Sequence, residues 1–381
     1  MRITFILWDG NIGGAERVSV ALAGRLRRMA VETCVLFVGG AGRLVPQLSS
    51  EDVPYESLGL RRGALVVTHP ARLRKVIRRL RPDVVITGTV GYLGAAVRAT
   101  GFRGPLIGVE HGQLIEICDR GRLRHPKGWL DRMTGVATYD AEVAVSRYML
   151  GLAKRGPHVR RVVLIPHGVD TDTTPPSIPP LAAQALTVGY AGRLFPGKGV
   201  DRLIRAVSIL ADCDPACKVH LQVAGDGEMR RTWERLAQSL GIADRVRFLG
   251  WTDNVVGHWA RCHVAVAPND RFVESFNVSV VEAMAAGRPT IVTDRGALPE
   301  LVLTQSTGMV VPAADEHALA VALAGYVRDP DRVYTEGAAA RRRAAENYSL
   351  SQSAQRYLAL ADELVVGSRG GRVVYRARTP G

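Results

Sequence analysis

Residues 263–294 read HVAVAPNDRFVESFNVSVVEAMAAGRPTIVTD, and the fold prediction begins from the pattern of this segment. Its first residues form a continuous apolar run, which is typical of a strand that is buried on both faces. A polar loop and an apolar helical stretch follow, and Gly287 is placed to end that helix before Pro289 and a second apolar run. A strand, a helix and another strand in this order predict a parallel β-α-β unit.

The same alternation recurs along the whole chain in two sets of apolar runs, with helical patterns between the runs. The sets are separated by DTDTTPPSIPP at residues 170–180, whose four prolines cannot continue a helix or a central strand, so we expect an interdomain linker there. The predicted fold class is α/β, with two doubly wound Rossmann-like domains that face each other across a cleft. The runs are ITFILW, VETCVLFV, DVVITG, PLIGVE, EVAVS and VVLIPHG, then LTVGYAG, VHLQVAGDG, RVRFLG, HVAVAP, PTIVTD and GMVVP.

The length of the chain also favours two domains, because 381 residues exceed what one hydrophobic core usually organises. We expect domains at residues 1–175 and 176–350, followed by a helix at 351–366 that crosses back to the N-terminal domain. The Gly- and Arg-rich end, residues 367–381, is expected to be a mobile basic tail.

Composition narrows the class of protein. A hydrophobic content of 47% with 23% charged residues is globular, and no apolar run approaches the roughly 18 residues that span a bilayer. The opening MRITFILWDG resembles a buried strand more than a secretory signal, so a cytoplasmic location is predicted. The five cysteines are scattered, and we expect reduced thiols without a metal site.

The net charge of +14 is concentrated in the first half of the chain, where residues 1–175 hold 26 Lys and Arg against 15 Asp and Glu. Such an excess attracts nucleic acid, anionic lipid or phosphorylated substrates. Nucleic acid is disfavoured as a partner, because only 6% of the residues are aromatic and no known binding motif is present.

The segment DGNIGGAERV, residues 9–18, follows the first predicted strand and opens a helix. Gly13 and Gly14 would let the backbone approach a ligand at the helix N-terminus, where free N–H groups favour a phosphate. The pattern is not the dinucleotide fingerprint GxGxxG, and a tight turn that requires glycine is the alternative interpretation.

The segment GYAGRLFPGKGV, residues 189–200, follows the first strand of the second domain. Arg193 and Lys198 flank a Pro-Gly turn, and two fixed cations beside a helix N-terminus suit a diphosphate. Two solvated loop cations are the alternative, but the strand-end position favours a ligand.

Two glutamates and a histidine also follow predicted strands. Glu274 lies in a loop, Ser275 or Asn277 can cap the next helix, and Glu282 lies within that helix. Each carboxylate could hold a diol of a hydroxyl-rich ligand, unless both are ordinary surface charges. His111 ends another strand and would face the predicted cleft, although a lone histidine is often structural.

The motifs GGAERV, GRLFPGKG, AGDGE and ESFNVSVVEAMAAGRPTIVT, in this order, resemble those of the family-4 retaining glycosyltransferases, which have the GT-B fold. The resemblance covers nearly the whole chain, and the two glutamates separated by seven residues are its most specific part. It implies an N-terminal acceptor domain and a C-terminal donor domain. It implies that Glu274 binds the sugar hydroxyls, that Glu282 binds the ribose, and that Arg193 and Lys198 bind the diphosphate. The backbone of Asn277, Val278 and Ser279 would contact phosphate and sugar. In the first domain, His111 would lie near the reacting centre, and Gly13 and Gly14 would admit the donor.

The resemblance further implies a hexosyltransferase that moves a sugar from a UDP- or GDP-sugar to a hydroxyl of a glycan, a lipid-linked saccharide or a secondary metabolite. The nucleoside diphosphate sugar is a substrate, and no cofactor and no metal are implied, since Arg193 and Lys198 would take the place of the metal's charge. Asp-x-Asp spacings begin at Asp170, Asp212 and Asp329, but none lies at a strand end, so chance is the better interpretation.

Two other functions fit the same residues less well. A nucleotide-sugar epimerase would bind the donor without an acceptor, and a basic adaptor would have no activity. One departure from the family concerns the sugar, because Asn277 stands where the family usually has glycine and its side chain would reshape the sugar pocket. The sugar, the nucleotide, the acceptor, the linkage and the oligomeric state are left open.

Residues 71–80, ARLRKVIRRL, predict an amphipathic helix. A crossover helix with a solvated basic face is the simpler interpretation, and peripheral contact of that face with an anionic membrane is the alternative. The apolar face holds Leu73, Val76, Ile77 and Leu80, and the basic face holds Arg72, Arg74, Lys75, Arg78 and Arg79.

Overall fold

The computed structural model describes residues 1–10, 13–60, 70–112, 135–155, 159, 161–172, 178–179, 185–213 and 218–369. The chain divides into two compact units, one made of Met1–Gly168 with Leu350–Gly381 and the other of Val169–Ser349. The division falls between Gly168 and Val169, whereas the sequence prediction placed it after residue 175. The reason is local, since the N–H of Val169 donates to the carbonyl of Tyr348, 2.9 Å away in the second unit.

The first unit is built on a parallel sheet with the order β3-β2-β1-β4-β5-β6-β7 among its described residues. All of the paired strands run parallel. The strands are β1 Arg2–Leu7, β2 Glu32–Phe37, β3 Tyr55–Ser57, β4 Val84–Thr87, β5 Leu106–Glu110, β6 Ala141–Ala144 and β7 Val162–Leu164.

Helices flank this sheet and bury one face each. The helix at Pro70–Leu80 shows how the spacing works, because its buried residues Leu73 and Ile77 lie four positions apart and join the core with Ile6 and Val85. The last helix of the chain belongs to this unit and packs against the first one. The helices are α1 Gly14–Arg28, α2 Val45–Ser50, α3 Pro70–Leu80, α4 Tyr92–Ala99, α5 Arg147–Arg155 and, at the end of the chain, α13 Leu350–Arg369.

The second unit has a parallel sheet with the order β10-β9-β8-β11-β12-β13. Its strands are β8 Ala185–Ala191, β9 Lys218–Ala224, β10 Val246–Gly250, β11 Val264–Ala267, β12 Thr290–Thr293 and β13 Gly308–Val311. Its helices are α6 Val200–Cys213, α7 Arg230–Ser239, α8 Val255–Trp259, α9 Val278–Ala285, α10 Leu298–Leu301, α11 Glu316–Arg328 and α12 Asp331–Asn347.

Both sheets confirm the prediction of two doubly wound α/β domains. Each predicted apolar run contains a strand, and β3 is the strand in the described residues that the runs did not predict. Parallel strands put all of their carboxyl ends at one edge of the sheet. Loops that leave two neighbouring strands in opposite directions open a crevice there, and this happens between β1 and β4 and between β8 and β11.

The structure describes only part of the predicted linker and none of the residues after 369. Residues 173–177, 180 and 370–381 lie outside the described residues, as do Cys118 and Cys217.

Candidate functional site

Two loops meet at the point in the second unit where the strand order reverses. Strands β8 and β11 are neighbours in the sheet. The turn with Arg193 and Lys198 follows β8, and the loop with Glu274 follows β11. The segment predicted to bind a diphosphate and the one predicted to bind a sugar therefore leave adjacent strands at the same edge of one sheet.

Backbone hydrogen bonds join these loops. The carbonyl of Gly197 accepts from the N–H groups of Asp270 and Phe272, at 3.1 and 3.0 Å. Gly197 has a φ of +89°, and a Cβ there would lie 2.8 Å from the Phe272 nitrogen. Gly199 has a φ of +69°, and a Cβ there would overlap the carbonyl of Pro268. Glycine is required at both positions because the two loops approach closely.

Lys198 and Glu274 form an ion pair across the loops, and their side chains are only 11% and 10% exposed. The Lys198 ammonium also lies 4.4 Å from the centroid of the Phe272 ring and 5.3 Å from that of Phe195. The two rings pack edge to face at 4.9 Å. The lysine is therefore held by a carboxylate and by cation–π contacts from two perpendicular rings.

Three N–H donors converge on one oxygen of Glu274. Asn269 Nδ2 and Asn277 Nδ2 donate to Oε1 from 3.1 and 3.3 Å, and the Lys198 ammonium pairs with this same atom. Asn277 also caps α9, because its Oδ1 accepts from the N–H of Val280 at 3.1 Å. Of the two capping candidates in the sequence, Asn277 is thus the residue that caps.

The turn after β8 is anchored by Tyr190, whose hydroxyl donates to the carbonyl of Arg193 at 3.1 Å. Burial raises the pKa of Tyr190 well above its usual value, the negative charge of Glu274 raises it further, and the charge of Arg193 opposes them. The exposed Arg193 places its guanidinium carbon 5.1 Å from the centroid of Phe195. A neutral phenol thus fixes the turn and leaves Arg193 at the surface.

The remaining predicted donor residues lie on α9. Glu282 is partly buried in this helix, eight positions after Glu274. Val278 and Ser279 form the first turn, ahead of the first bond within the helix, which runs from Val281 N–H to the carbonyl of Asn277 at 3.4 Å. First-turn N–H groups have no carbonyl within the helix to bind, so they suit an anion.

In the first unit, Gly13 precedes α1 and Gly14 begins it, at the end of the loop from β1. Gly13 has φ −121° and ψ 160°, which any residue adopts, so a strained turn does not explain this glycine. A Cβ there would meet the carboxylate of Glu16, which is the flexible end of a side chain. Residues 11–12 lie outside the described residues.

His111 follows β5 and forms a pair with His167, which follows β7. His111 Nδ1 and His167 Nε2 are 3.1 Å apart, and the rings stack with centroids 4.9 Å apart and planes inclined by 15°. Burial lowers the pKa of His111 to about 4, and burial together with His111 holds the pKa of His167 well below its usual value. Both rings are therefore neutral at physiological pH, and one donates this hydrogen bond to the other.

The predicted residues thus form two groups. Arg193, Lys198, Glu274 and Asn277 gather at the switch point of the second unit. Gly13, Gly14 and His111 belong to the first unit, where β4 separates the strands that lead to them. Four residues of these groups were not predicted from the sequence: His167, Asn269 and the ring pair Phe195 and Phe272. His167 lies near the end of the predicted run VVLIPHG, and the other three follow a predicted strand within a few residues. That position is the signal that could have found them.

Other features carry less chemistry. Asp170 Oδ1 accepts from the N–H of Asp172 at 3.0 Å, so this Asp-x-Asp spacing belongs to a local turn. Among the residues that the structure describes, no group of three or more His, Cys, Asp or Glu is arranged to hold a metal ion.

Burial is the main cause that raises the pKa of the Cys34 and Cys262 thiols, to about 11 and 12. None of the described helices is both long and apolar enough to cross a membrane.

Family profiles match both halves of the chain. The family described as "Glycosyltransferase Family 4" matches residues 12–173, and the one described as "Glycosyl transferases group 1" matches residues 185–329.

Curated relatives with similar sequences are sugar transferases. The GDP-mannose-dependent alpha-(1-6)-phosphatidylinositol monomannoside mannosyltransferase of Mycobacterium tuberculosis is 34% identical over 331 residues, which cover 78% of this chain and 82% of that protein. Its namesake from Mycolicibacterium smegmatis is 28% identical over 84% of this chain and 88% of that protein. The lipopolysaccharide core biosynthesis mannosyltransferase LpsB of Rhizobium meliloti is 32% identical, over 53% of this chain and 61% of that protein.

Solved structures share the fold at lower identity. The chain of Anabaena HepE in complex with UDP has a TM-score of 0.78 at 20% identity, over 95% of this chain and all of that one. Sucrose-phosphate synthase of Thermosynechococcus elongatus has a TM-score of 0.80 at 20% identity, over 96% of this chain and 100% of that one.

Proposed function

The chain belongs to glycosyltransferase family 4, and from this premise we propose that it moves a sugar from a nucleoside diphosphate sugar to a hydroxyl group with retention of the anomeric configuration. That it is a glycosyltransferase follows from the family, and the donor, the stereochemistry and the acceptor are the proposed parts. The observation that carries the proposal is the contact between Lys198 and Glu274, because it joins the residue suited to a diphosphate to the residue suited to a sugar.

The ammonium group of Lys198 has three N–H donors. Glu274 takes one of them, which leaves two for the oxygens of a diphosphate. Arg193, at the surface of the same turn, adds a second positive charge. Because the leaving diphosphate gains negative charge as the sugar departs, both cations stabilise the transition state more than the ground state.

Glu274 would bind the sugar. A ring that loses its leaving group acquires positive charge, and a carboxylate beside it opposes that charge. Asn269 contributes a further acceptor, since its Oδ1 is buried and receives no hydrogen bond from the described residues. A sugar hydroxyl is the kind of group that would satisfy it.

The helix α9 would bind the other end of the donor. The first-turn N–H groups of Val278 and Ser279, with the backbone N–H of Asn277, suit phosphate and sugar oxygens. Glu282, further along the helix, would accept hydrogen bonds from the two hydroxyls of a ribose.

In the first unit, we propose that His111 contacts the sugar near its reacting carbon as a neutral imidazole, held by His167. Gly13 and Gly14 would admit the donor by presenting backbone without side chains. No metal and no cofactor enter this proposal.

GDP-mannose is the first donor to test, because the relatives that align over most of this chain are named GDP-mannose-dependent. UDP-sugars are the second choice. Acceptors to test are glycans, lipid-linked saccharides and secondary metabolites that offer a hydroxyl. A cytoplasmic location with peripheral contact to an anionic membrane is part of the same proposal, because α3 exposes a basic face.

A donor panel tests the function. GDP- and UDP-sugars would be screened by thermal shift and by release of the nucleoside diphosphate, and the anomeric configuration of the product would be read by NMR. A product with the configuration of the donor supports retention, and an inverted product contradicts it. Conversion of the donor to its epimer without an acceptor would instead indicate an epimerase, and failure to bind any nucleotide sugar would indicate a non-enzymatic adaptor.

A further inference from the structure

The convergence of three donors on Glu274 Oε1 leaves the two oxygens of this carboxylate in different environments. Lys198, Asn269 and Asn277 all reach Oε1. In the described part of the chain, no hydrogen bond reaches Oε2. With the side chain only 10% exposed, the carboxylate is fixed from one side and presents a single oxygen to a ligand.

From this geometry we propose that Asn277 is a positioning residue that sets the orientation of the Glu274 carboxylate and thereby selects the donor sugar. The inference rests on the proposed function, because it names a determinant of donor choice within the same site. The ligand class is the hexosyl group of a nucleoside diphosphate sugar, recognised by the direction of one ring hydroxyl.

The amide of Asn277 has one orientation that satisfies both of its contacts. Its oxygen must face the Val280 N–H, 3.1 Å away, and its nitrogen must then face the carboxylate of Glu274, 3.3 Å away. The reversed amide would set N–H against N–H and oxygen against carboxylate. The Val280 N–H at the start of α9 therefore makes the amide nitrogen of Asn277, and not its oxygen, face Glu274.

The other two groups that donate to Glu274 Oε1, Asn269 and Lys198, have different roles. Asn269 is 1% exposed and is held in place, since its backbone carbonyl accepts from the hydroxyl of Thr293 at 2.7 Å and its side-chain Nδ2 donates to the carbonyl of Phe272 at 3.3 Å. Lys198 would share its charge with the diphosphate when the donor binds. Asn277, which is partly buried, is thus the hydrogen-bond donor that holds the Glu274 carboxylate from the side of α9.

A fixed Oε2 has a consequence for recognition. Epimeric hexoses differ in the direction of a single hydroxyl, so an acceptor held in one position hydrogen-bonds one epimer and leaves the other without that bond. A glycine at position 277 would remove the amide and let the carboxylate rotate toward either epimer. Asn277 should therefore narrow the choice of sugar.

The test compares variants at two asparagines that both cap helices. Asn277→Gly removes the contact with Glu274, and Asn277→Asp keeps a capping oxygen but places a second carboxylate beside Glu274. Asn254 is the matched control, because it caps α8 by accepting from the Gly257 N–H at 2.7 Å. Glycine replaces asparagine at an N-cap with little loss of stability, so Asn277→Gly and Asn254→Gly should both remain folded with similar thermal midpoints.

The readouts are kcat and KM with the preferred donor and with its epimers, and affinity for the free nucleoside diphosphate by calorimetry. With Asn277→Gly, we expect kcat for the preferred donor to fall roughly 10-fold, the scale of one hydrogen bond to a charged group. The ratio of kcat/KM between epimeric donors should fall by a similar factor, with nucleoside diphosphate affinity unchanged. Asn277→Asp should lose more turnover than Asn277→Gly, and Asn254→Gly should match the wild type.

An unchanged epimer ratio in a folded, active Asn277→Gly would overturn the role of Asn277 and leave the proposed function intact. If Asn254→Gly lost as much turnover and as much discrimination between epimers as Asn277→Gly, the loss of a helix cap alone would explain the effect. A wild-type protein that turns over no nucleotide sugar would overturn the proposed function and this inference with it.

Discussion

At the scale of single residues, the Lys198–Glu274 pair is the feature on which most of the proposed chemistry depends. Both side chains are nearly buried, and burying two charges costs free energy that their attraction only partly returns. Asn269, Asn277 and the aromatic rings lower that cost by binding the charged groups directly. Such a pair is better suited to a ligand that shares its charge than to stability alone.

The two glutamates should separate in their kinetic effects. Glu282→Ala is expected to weaken affinity for the free nucleoside diphosphate and to raise the donor's KM, with a smaller effect on kcat, because ribose binding is the same in ground and transition states. Glu274→Gln is expected to cut kcat by roughly 10²-fold and leave nucleoside diphosphate affinity nearly unchanged. Calorimetry and steady-state kinetics on both variants measure this, and equal losses of nucleotide affinity would contradict the assignment.

The histidine pair predicts a pH dependence of stability. The native His111 binds a proton near pH 4 and the unfolded one near 6.5, so the unfolded state holds more protons between these values. The contribution of the neutral His111 to the free energy of unfolding is complete above pH 6.5 and is lost as the pH falls toward 4. For His111, the loss between pH 7 and pH 5 is on the order of 2 kcal/mol.

Thermal midpoints at pH 7 and pH 5 check this prediction. The decrease should be smaller in His111→Asn than in the wild type, because the variant has lost the group that binds the proton. His317→Asn is the control, since His317 is exposed on α11 and should leave the decrease unchanged. An equal decrease in His111→Asn and the wild type would show that the pair is not the cause.

At the scale of elements, α3 combines a buried stripe with a basic surface. Leu73 and Ile77 are buried, whereas Arg72, Lys75 and Arg78 are exposed. The structure confirms the crossover helix, and its exposed cations are compatible with an anionic surface as well as with solvent.

Liposome co-sedimentation separates these alternatives. If the basic face rests on lipid, binding to anionic vesicles should be salt-sensitive, and Arg72→Glu with Lys75→Glu should weaken it, since each cation contributes about 1 kcal/mol near the surface. Arg231→Glu with Arg235→Glu on α7 makes the same change of charge at exposed positions of the other unit. Equal weakening by both pairs, or no binding at all, would leave α3 as a crossover helix only.

At the scale of the whole molecule, the two units repeat one arrangement. In each, a strand near the middle of a parallel sheet leads to a glycine-containing segment that opens a helix, at the point where the strand order reverses. In the second unit that segment also carries Arg193 and Lys198. In the proposed function, the positive charge that faces the donor's diphosphate would thus come from the chain itself.

Transfer should therefore persist in EDTA. In the proposed function Lys198 and Arg193 would supply fixed positive charge to the leaving diphosphate, so removal of divalent ions is expected to change the initial rate by less than about twofold. Arg193→Ala should lower the rate, and added magnesium should not restore it. Activity that disappears in EDTA and returns with magnesium or manganese would refute this prediction.

Secondary structure was predictable because it depends on local patterns. Continuous apolar runs predicted twelve strands, and Gly287 and Pro289 marked the C-terminal end of the helix in residues 263–294. Strand β3 was missed because Tyr55–Ser57 contains no apolar run; its residues are exposed or partly buried, and pairing with β2 is what makes them a strand.

The sequence alone determined the two α/β units, the strand ends that carry chemistry and, through the resemblance, the family. It could not determine that Lys198 and Glu274 touch, because they are 76 positions apart and meet only since β8 and β11 are neighbours in the sheet. Nor could it pair His111 with His167, which requires the order β5-β6-β7. Strand order is fixed by the packing of helices against the whole sheet, a property of the folded chain that no local pattern encodes.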